Sequence, residues 1–125
     1  MAKVLYIDDN HDNRMLVHRV LLASDYEFEF EEADNAHDGI DLAAKNPPDI
    51  ILMDISMPDM DGLTATACIR DIPQLNHVPI VALTANAMEG DKERTLQAGC
   101  DGYIRKPVDV DRLPEEIMNY IGSRR

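Results

Sequence analysis

The chain has 125 residues, a length suited to one compact domain with a single sizeable core, and its 45% hydrophobic content excludes general disorder. A formal net charge of −12 repels a phosphate backbone and argues against direct nucleic-acid binding. No apolar run reaches bilayer-spanning length and no signal-peptide core precedes the first structured segment, so a cytoplasmic protein with no membrane partner is expected.

KVLYI (3–7) reads as a first strand. Leu16, Val17, Val20 and Leu21 then form a helical stripe, with Asp12 or Asn13 as its cap. EFEFEEA (27–33) alternates and places Phe28 and Phe30 on one face, which predicts an edge strand with one wet side. AHDGIDLAAKN (36–46) is a second helix, weakened by Gly39 and stopped by Pro47 and Pro48. DIILMD (49–54) is a continuous apolar run that ends in an acid, as a central parallel strand covered on both faces should.

DGLTATACIRDI (61–72) predicts a third helix and VPIVALTA (78–85) a second buried strand. MEGDKERTLQAG (88–99) reads as a helix made marginal by Gly90 and its charges, and ended by Gly99. DGYI (101–104) is a short last strand. VDVDRLPEEIMNYI (108–121) is a final helix with Leu113, Ile117 and Ile121 on one face, starting near Asp111 so that Pro114 falls in its first turn. No linker, repeat or low-complexity tract divides the chain, so residues 1–125 are expected to form one domain without an output domain. Cys68 and Cys100 read as small buried hydrophobes, and His11, His18, His37 and His77 have no metal-ligand spacing.

The alternation makes a (βα)5 chain and favours an open, doubly wound parallel sheet. Ligands of such sheets bind beyond the carboxyl ends of the strands, where strand order reverses. The polar groups at those ends are Asp8 and Asp9 after the first strand, Asp54 after the third, Thr84 after the fourth and Lys106 after the fifth. Each alone is an ordinary turn or cap residue. Together they gather three carboxylates, which repel one another unless a cation joins them. Oxygen-only ligands favour a hard ion such as Mg²⁺. A carboxylate can attack phosphorus to give an aspartyl phosphate, and an ammonium and a hydroxyl stabilise the transferring group. Asp54 lies centrally and is the best nucleophile of the three.

YIDDN, ILMDISMPDMDG, VALTA and GYIRKP, in that order and spanning nearly the whole chain, resemble the receiver domain of two-component response regulators, either as a single-domain regulator or as the receiver of a hybrid histidine kinase. The resemblance implies a flavodoxin-like five-stranded sheet in the order 2-1-3-4-5, with Asp54 as phosphoacceptor. The donor it implies is a histidine kinase or a histidine phosphotransfer protein, and the recipient of the signal is a further protein. It implies Mg²⁺, or Mn²⁺, on Asp9, Asp54 and the Ser56 main-chain carbonyl, with Asp8 assisting through water. Thr84 and Lys106 would bind the phosphoryl group, and Thr84 and Tyr103 would form the switch. Ser56 and Asn86 would modulate phosphoryl lifetime, and the Lys106–Pro107 bond is expected to be cis. Such a domain catalyses only its own phosphorylation and dephosphorylation. Its output is a change in the surface made by the fourth helix, last strand and last helix, for partner binding or onward phosphorelay.

Three other readings stand beside it. A Mg²⁺-dependent phosphatase of the haloacid-dehalogenase type needs a second acid two residues after its nucleophile, where this chain has Ser56 after Asp54 and Asn10 after Asp8. A flavin-binding flavodoxin-like module needs phosphate-cradling residues after the first strand, where DDNHDN repels phosphate. A pure interaction module would leave the five polar residues without a use.

Overall fold

A computed structural model describes residues 1–85 and 91–123. The strands are β1 (Ala2–Ile7), β2 (Phe28–Ala33), β3 (Ile50–Asp54), β4 (Ile80–Thr84) and β5 (Gly102–Arg105). The helices are α1 (His11–Ala23), α2 (Ala36–Lys45), α3 (Gly62–Arg70), α4 (Asp91–Gln97) and α5 (Leu113–Ser123). All strands pair in parallel in the order β2-β1-β3-β4-β5, the flavodoxin-like arrangement. Order reverses at β1, so its carboxyl end and that of β3 flank the crevice where ligands of this architecture bind.

Period-two side-chain alternation sorts the central strands into two cores. Leu5, Ile7, Ile51, Met53, Ile80 and Ala82 pack with α2 and α3. Val4, Tyr6, Ile50, Leu52, Val81 and Leu83 pack with α1 and α5. Each large apolar side chain buried in this way contributes about 1.5–3 kcal/mol. That is enough in sum to carry a carboxylate, Asp54, into the buried rim. β2 is the edge expected from its pattern, with Phe28 and Phe30 against the core and Glu29 and Glu32 exposed, which blunts edge-to-edge pairing.

Several local expectations are corrected. The cap of α1 is Asn10, whose side chain accepts from the Asn13 amide, rather than Asp12 or Asn13. The chain turns immediately after Asp9, so helical geometry begins earlier than the apolar stripe implies. Gly39 does not interrupt α2. A Cβ there would lie 2.4 Å from the Ile7 Cδ1, so the glycine admits the helix to the sheet. α3 stops at Arg70, and a single 3-10 turn, Pro73–Leu75, follows it. α5 begins at Leu113, with Pro114 as its second residue. Cys100 is buried as expected, but Cys68 is exposed on the outer side of α3. Gly99, at φ 110°, follows the end of α4. The expectations placed on Asn86 and Gly90 lie outside the described residues.

Candidate functional site

The rim is assembled by strand ends. Asp8 follows β1 and is fully buried; Asp9 beside it is exposed. Asp54 is the last residue of β3 and Thr84 the last of β4, and both are buried. Lys106 follows β5, with its amide donating to the Thr84 carbonyl at 2.8 Å. The Lys106–Pro107 peptide is cis. Carboxylate oxygens of Asp8, Asp9 and Asp54 lie within 4.8 Å of one another. The Lys106 Nζ stands 3.1 Å from the Asp54 Oδ1 and 3.4 Å from the Asp8 Oδ2. Four residues from three segments distant in sequence therefore share one small volume.

The floor of the site is backbone. The Gly62 amide donates to the Ile55 carbonyl at 2.8 Å. A Cβ on Gly62 would lie 2.5 Å from the Asp54 carbonyl oxygen and 2.8 Å from the Ile55 Cα. Only glycine lets α3 start so close to the end of β3. The Ser56 amide donates to the Asp54 Oδ1 at 3.4 Å, and Ser56 itself is exposed.

Asp8 is held by more donors than its place in the sequence signals. Its Oδ2 accepts from the Tyr6 hydroxyl at 2.5 Å and the Asn13 side-chain amide at 3.3 Å, and its Oδ1 from the Asn10 amide at 2.9 Å. Arg14 donates to the Asp8 carbonyl at 2.8 Å. The sequence pattern gives Tyr6, Asn10 and Arg14 no part in the site, and Asn13 only that of a cap. For Tyr6 the signal was its hydroxyl in a central strand, since a buried tyrosine needs a partner for its O–H. The loop after β3 carries a second fastening. Asp59 accepts from the Ala36 and His37 amides and lies 2.7 Å from the His37 Nδ1, tying the loop to the start of α2.

Thr84 and Tyr103 lie on one face of the sheet. Thr84 is level with Arg105 and Ala82 with Tyr103, so Tyr103 is the diagonal neighbour of Thr84. Tyr103 is half-buried against the core under α2 and α3. Among the described residues, Asp8, Asp9 and Asp54 form the one acidic or histidine cluster able to hold a metal, and no helix is long and apolar enough to cross a membrane.

The charges are unequal in environment. Burial, then the charge of Asp8, pushes the Asp54 carboxyl above the ordinary carboxylate range, against the opposing pull of Lys106. Burial acts upward on Asp8 too. There the Tyr6 and Asn10 hydrogen bonds and the Lys106 ammonium outweigh it and hold the carboxyl below that range. Burial and the Asp8 hydrogen bond raise Tyr6 well above its ordinary range, so it is a hydroxyl donor at neutral pH.

A stability consequence follows for the metal-free protein. Because folding raises the Asp54 value, the fold holds that proton more tightly than the unfolded chain. Stability is lost as pH rises from the ordinary carboxylate value through the raised one, and the cost is fully present above it. We expect Asp54→Asn in EDTA to be more stable than the wild type at neutral pH by about 1–2 kcal/mol. The gap should close as pH falls toward about 4. Urea unfolding across that range checks it; a variant less stable than wild type at neutral pH contradicts it.

The family model for the response regulator receiver domain matches residues 4–118. The chain is 42% identical over 120 residues to the polar-differentiation response regulator DivK of Brucella anthropi, covering 96% of each chain. It is similar to the receiver domain of the Pseudomonas aeruginosa sensor histidine kinase PA1611, which was solved with a magnesium ion coordinated in its active-site cleft. That match has 33% identity, a TM-score of 0.87, and covers 97% of this chain and 98% of that one. A third likeness is to the structure of the Saccharomyces cerevisiae phosphotransfer protein Ypd1 with the receiver domain of Ssk1, at 27% identity, a TM-score of 0.87, and coverage of 98% and 90%. A sheet order, a rim of acids with one ammonium, and a family match spanning nearly the whole chain lead to one assignment: this chain belongs to the response regulator receiver domain family of two-component signalling.

Proposed function

We propose that the chain is a phosphorylation-dependent switch in which Asp54 accepts a phosphoryl group from a phosphohistidine donor. The observation that carries this reading is the Lys106 ammonium at 3.1 Å from Asp54, in a rim where Asp8 and Asp9 also converge. The donor set suits a hard divalent cation: all ligands are oxygens, and Lys106 offsets one of three carboxylate charges, leaving a surplus that Mg²⁺ or Mn²⁺ matches. Asp9, Asp54 and the Ser56 carbonyl would hold it, with Asp8 acting through water. When bound, the cation would offset the charge on the phosphoryl oxygens so that an anionic nucleophile can approach the phosphorus.

In the transfer, a bond forms between an Asp54 carboxylate oxygen and phosphorus. The bond from phosphorus to the donor's imidazole nitrogen breaks, and the imidazole keeps the electron pair. Asp54 supplies the nucleophile, Lys106 pairs with a phosphoryl oxygen, and Thr84 donates a hydrogen bond to another. The acyl phosphate carries about −1.5 to −2 charges where the ionised Asp54 carboxylate carried one, so the rim gains about one negative charge, placed further out on the phosphoryl oxygens. Thr84 moves toward the new oxygen, and Tyr103, its diagonal neighbour, takes up the freed space. That reshapes the α4–β5–α5 surface for a downstream protein or for onward relay. Reversing a 1:99 population takes about 5.5 kcal/mol, which is within reach of a few charge-assisted hydrogen bonds and the cation. Thr84→Ala is expected to accept phosphoryl yet lose the phosphorylation-induced change in the Tyr103 ring signals; a full change there defeats the coupling.

Ser56 and Asn86 modulate the lifetime of the phosphoryl group. Residues 1–125 act as one receiver unit in the cytoplasm, with no chemistry beyond their own phosphorylation and dephosphorylation. The Ypd1–Ssk1 complex supports a histidine phosphotransfer protein, or a histidine kinase, as donor. Exposed Met15 and Leu16 on α1 and an apolar cleft of about 320 Å³ beside Lys106 offer that donor a surface next to the site. The family match leaves the haloacid-dehalogenase alternative without support.

Intact-mass measurement after incubation with acetyl phosphate tests the reading. Wild-type protein should gain one phosphoryl group with Mg²⁺ and essentially none with EDTA. Equal uptake in EDTA removes the cation from the account, and no uptake in either removes the function.

A further inference from the structure

We propose that Tyr6 is a positioning residue of this site: its hydroxyl holds Asp8 so that the Lys106 ammonium is free to serve Asp54 and the phosphoryl group arriving there. The proposal rests on the reading of the site given above.

Tyr6 lies on β1, two residues before Asp8, and is fully buried in the core beneath α1 and α5. A phenylalanine fills the same core space, so the hydroxyl is the distinguishing group, and the acceptor it finds is the Asp8 Oδ2. That oxygen has two further donors, the Asn13 side chain at 3.3 Å and Lys106 at 3.4 Å. Lys106 is thus divided between Asp8 and Asp54. To pair with a phosphoryl oxygen it must give up part of its hold on Asp8. A buried carboxylate deserted by its donors is costly. Tyr6 and Asn13 supply neutral donors that stay when Lys106 turns away, so Asp8 remains satisfied and oriented throughout.

Without the hydroxyl, Asp8 draws Lys106 toward itself and loses its fixed orientation toward the cation position. Groups that orient a metal site from behind are worth about ten- to a hundredfold in affinity or activity. Two readouts apply: calorimetric Mg²⁺ titration, and the initial rate of phosphoryl uptake from acetyl phosphate at saturating Mg²⁺. The proteins are wild type, Tyr6→Phe, Asp8→Asn and the double variant, with Tyr26→Phe, an exposed tyrosine, as control.

Tyr6→Phe is expected to keep the wild-type near-ultraviolet circular dichroism of its fold, bind Mg²⁺ about tenfold more weakly and take up phosphoryl about tenfold more slowly. In the Asp8→Asn background the same change should have little effect, because the hydroxyl acts through that carboxylate. Tyr6→Phe indistinguishable from wild type overturns the proposal, as does an undiminished loss in the Asp8→Asn background. Should Tyr6→Phe not fold, Asn13→Ala removes the other neutral side-chain donor to the Asp8 Oδ2. A loss in Mg²⁺ affinity and uptake rate supports the proposal, and unchanged values overturn it. A wild type that neither binds Mg²⁺ nor takes up phosphoryl instead overturns the reading of the site as a whole.

Discussion

Asp54→Asn is expected to take up no phosphoryl group from acetyl phosphate and Mg²⁺, under conditions where the wild type should take up one. The substitution keeps side-chain volume and leaves an oxygen for Lys106, so the fold and rim persist. What it removes is the anionic nucleophile, since an amide is a poor one toward phosphorus. Neither neighbouring acid can take its place. Asp8 is committed to Tyr6, Asn13, Asn10 and Lys106. Asp9 is exposed, and the ammonium contacts Asp8 and Asp54 rather than Asp9. The same variant should be the more stable protein in EDTA, so lost uptake cannot be ascribed to unfolding. Intact mass with an unfolding curve on one sample checks both; uptake by Asp54→Asn at the wild-type rate contradicts the assignment.

Lys106→Met is expected to give the second large effect, with two signs. Phosphoryl uptake at saturating Mg²⁺ falls by about 10²–10³-fold, the usual consequence of removing one aimed donor from the developing charge. Mg²⁺ binding tightens, because the ammonium and the cation are drawn to the same carboxylates and repel one another. In EDTA the variant loses about 1–3 kcal/mol of stability, since Asp8 and Asp54 lose a charged donor together. Uptake rates, calorimetric titration and urea unfolding read these separately. A Lys106→Met protein that binds Mg²⁺ more weakly and still accepts phosphoryl at the wild-type rate contradicts the role given to the ammonium.

How much of this was legible beforehand depended on the range of the cause. The apolar run Ile50–Met53 forces a buried strand, and a carboxylate ending that run must lie at its rim, so Asp54 was visible from one dimension. Asp8, Thr84 and Lys106 were visible for the same reason, and a single rule about strand ends in parallel sheets placed all four together. The cap of α1 was missed because Asn10, Asp12 and Asn13 offer three competent side chains within four residues, and the exit angle of β1 chooses between them. Gly39 reads as a helix weakener, and Gly62 has no reading of its own; their use is close approach to Ile7 and to the Asp54–Ile55 backbone, which no local pattern encodes. The Tyr6–Asp8 and Asp59–His37 contacts are of the same kind. The first needs the twist of one strand end, the second the packing of a loop against a helix 22 residues away in sequence.

The claim on which the rest depends is that an acyl phosphate forms on one particular carboxylate at the rim. Borohydride reduction of the phosphorylated wild type, followed by peptide mass mapping, tests this directly, because borohydride converts an aspartyl phosphate to the corresponding alcohol and leaves free carboxylates unchanged. The predicted result is a single converted residue, Asp54, absent when Mg²⁺ is withheld. Conversion at Asp8 or Asp9, or a reduction-resistant phosphoester on Ser56 or Thr84, is the result that contradicts it.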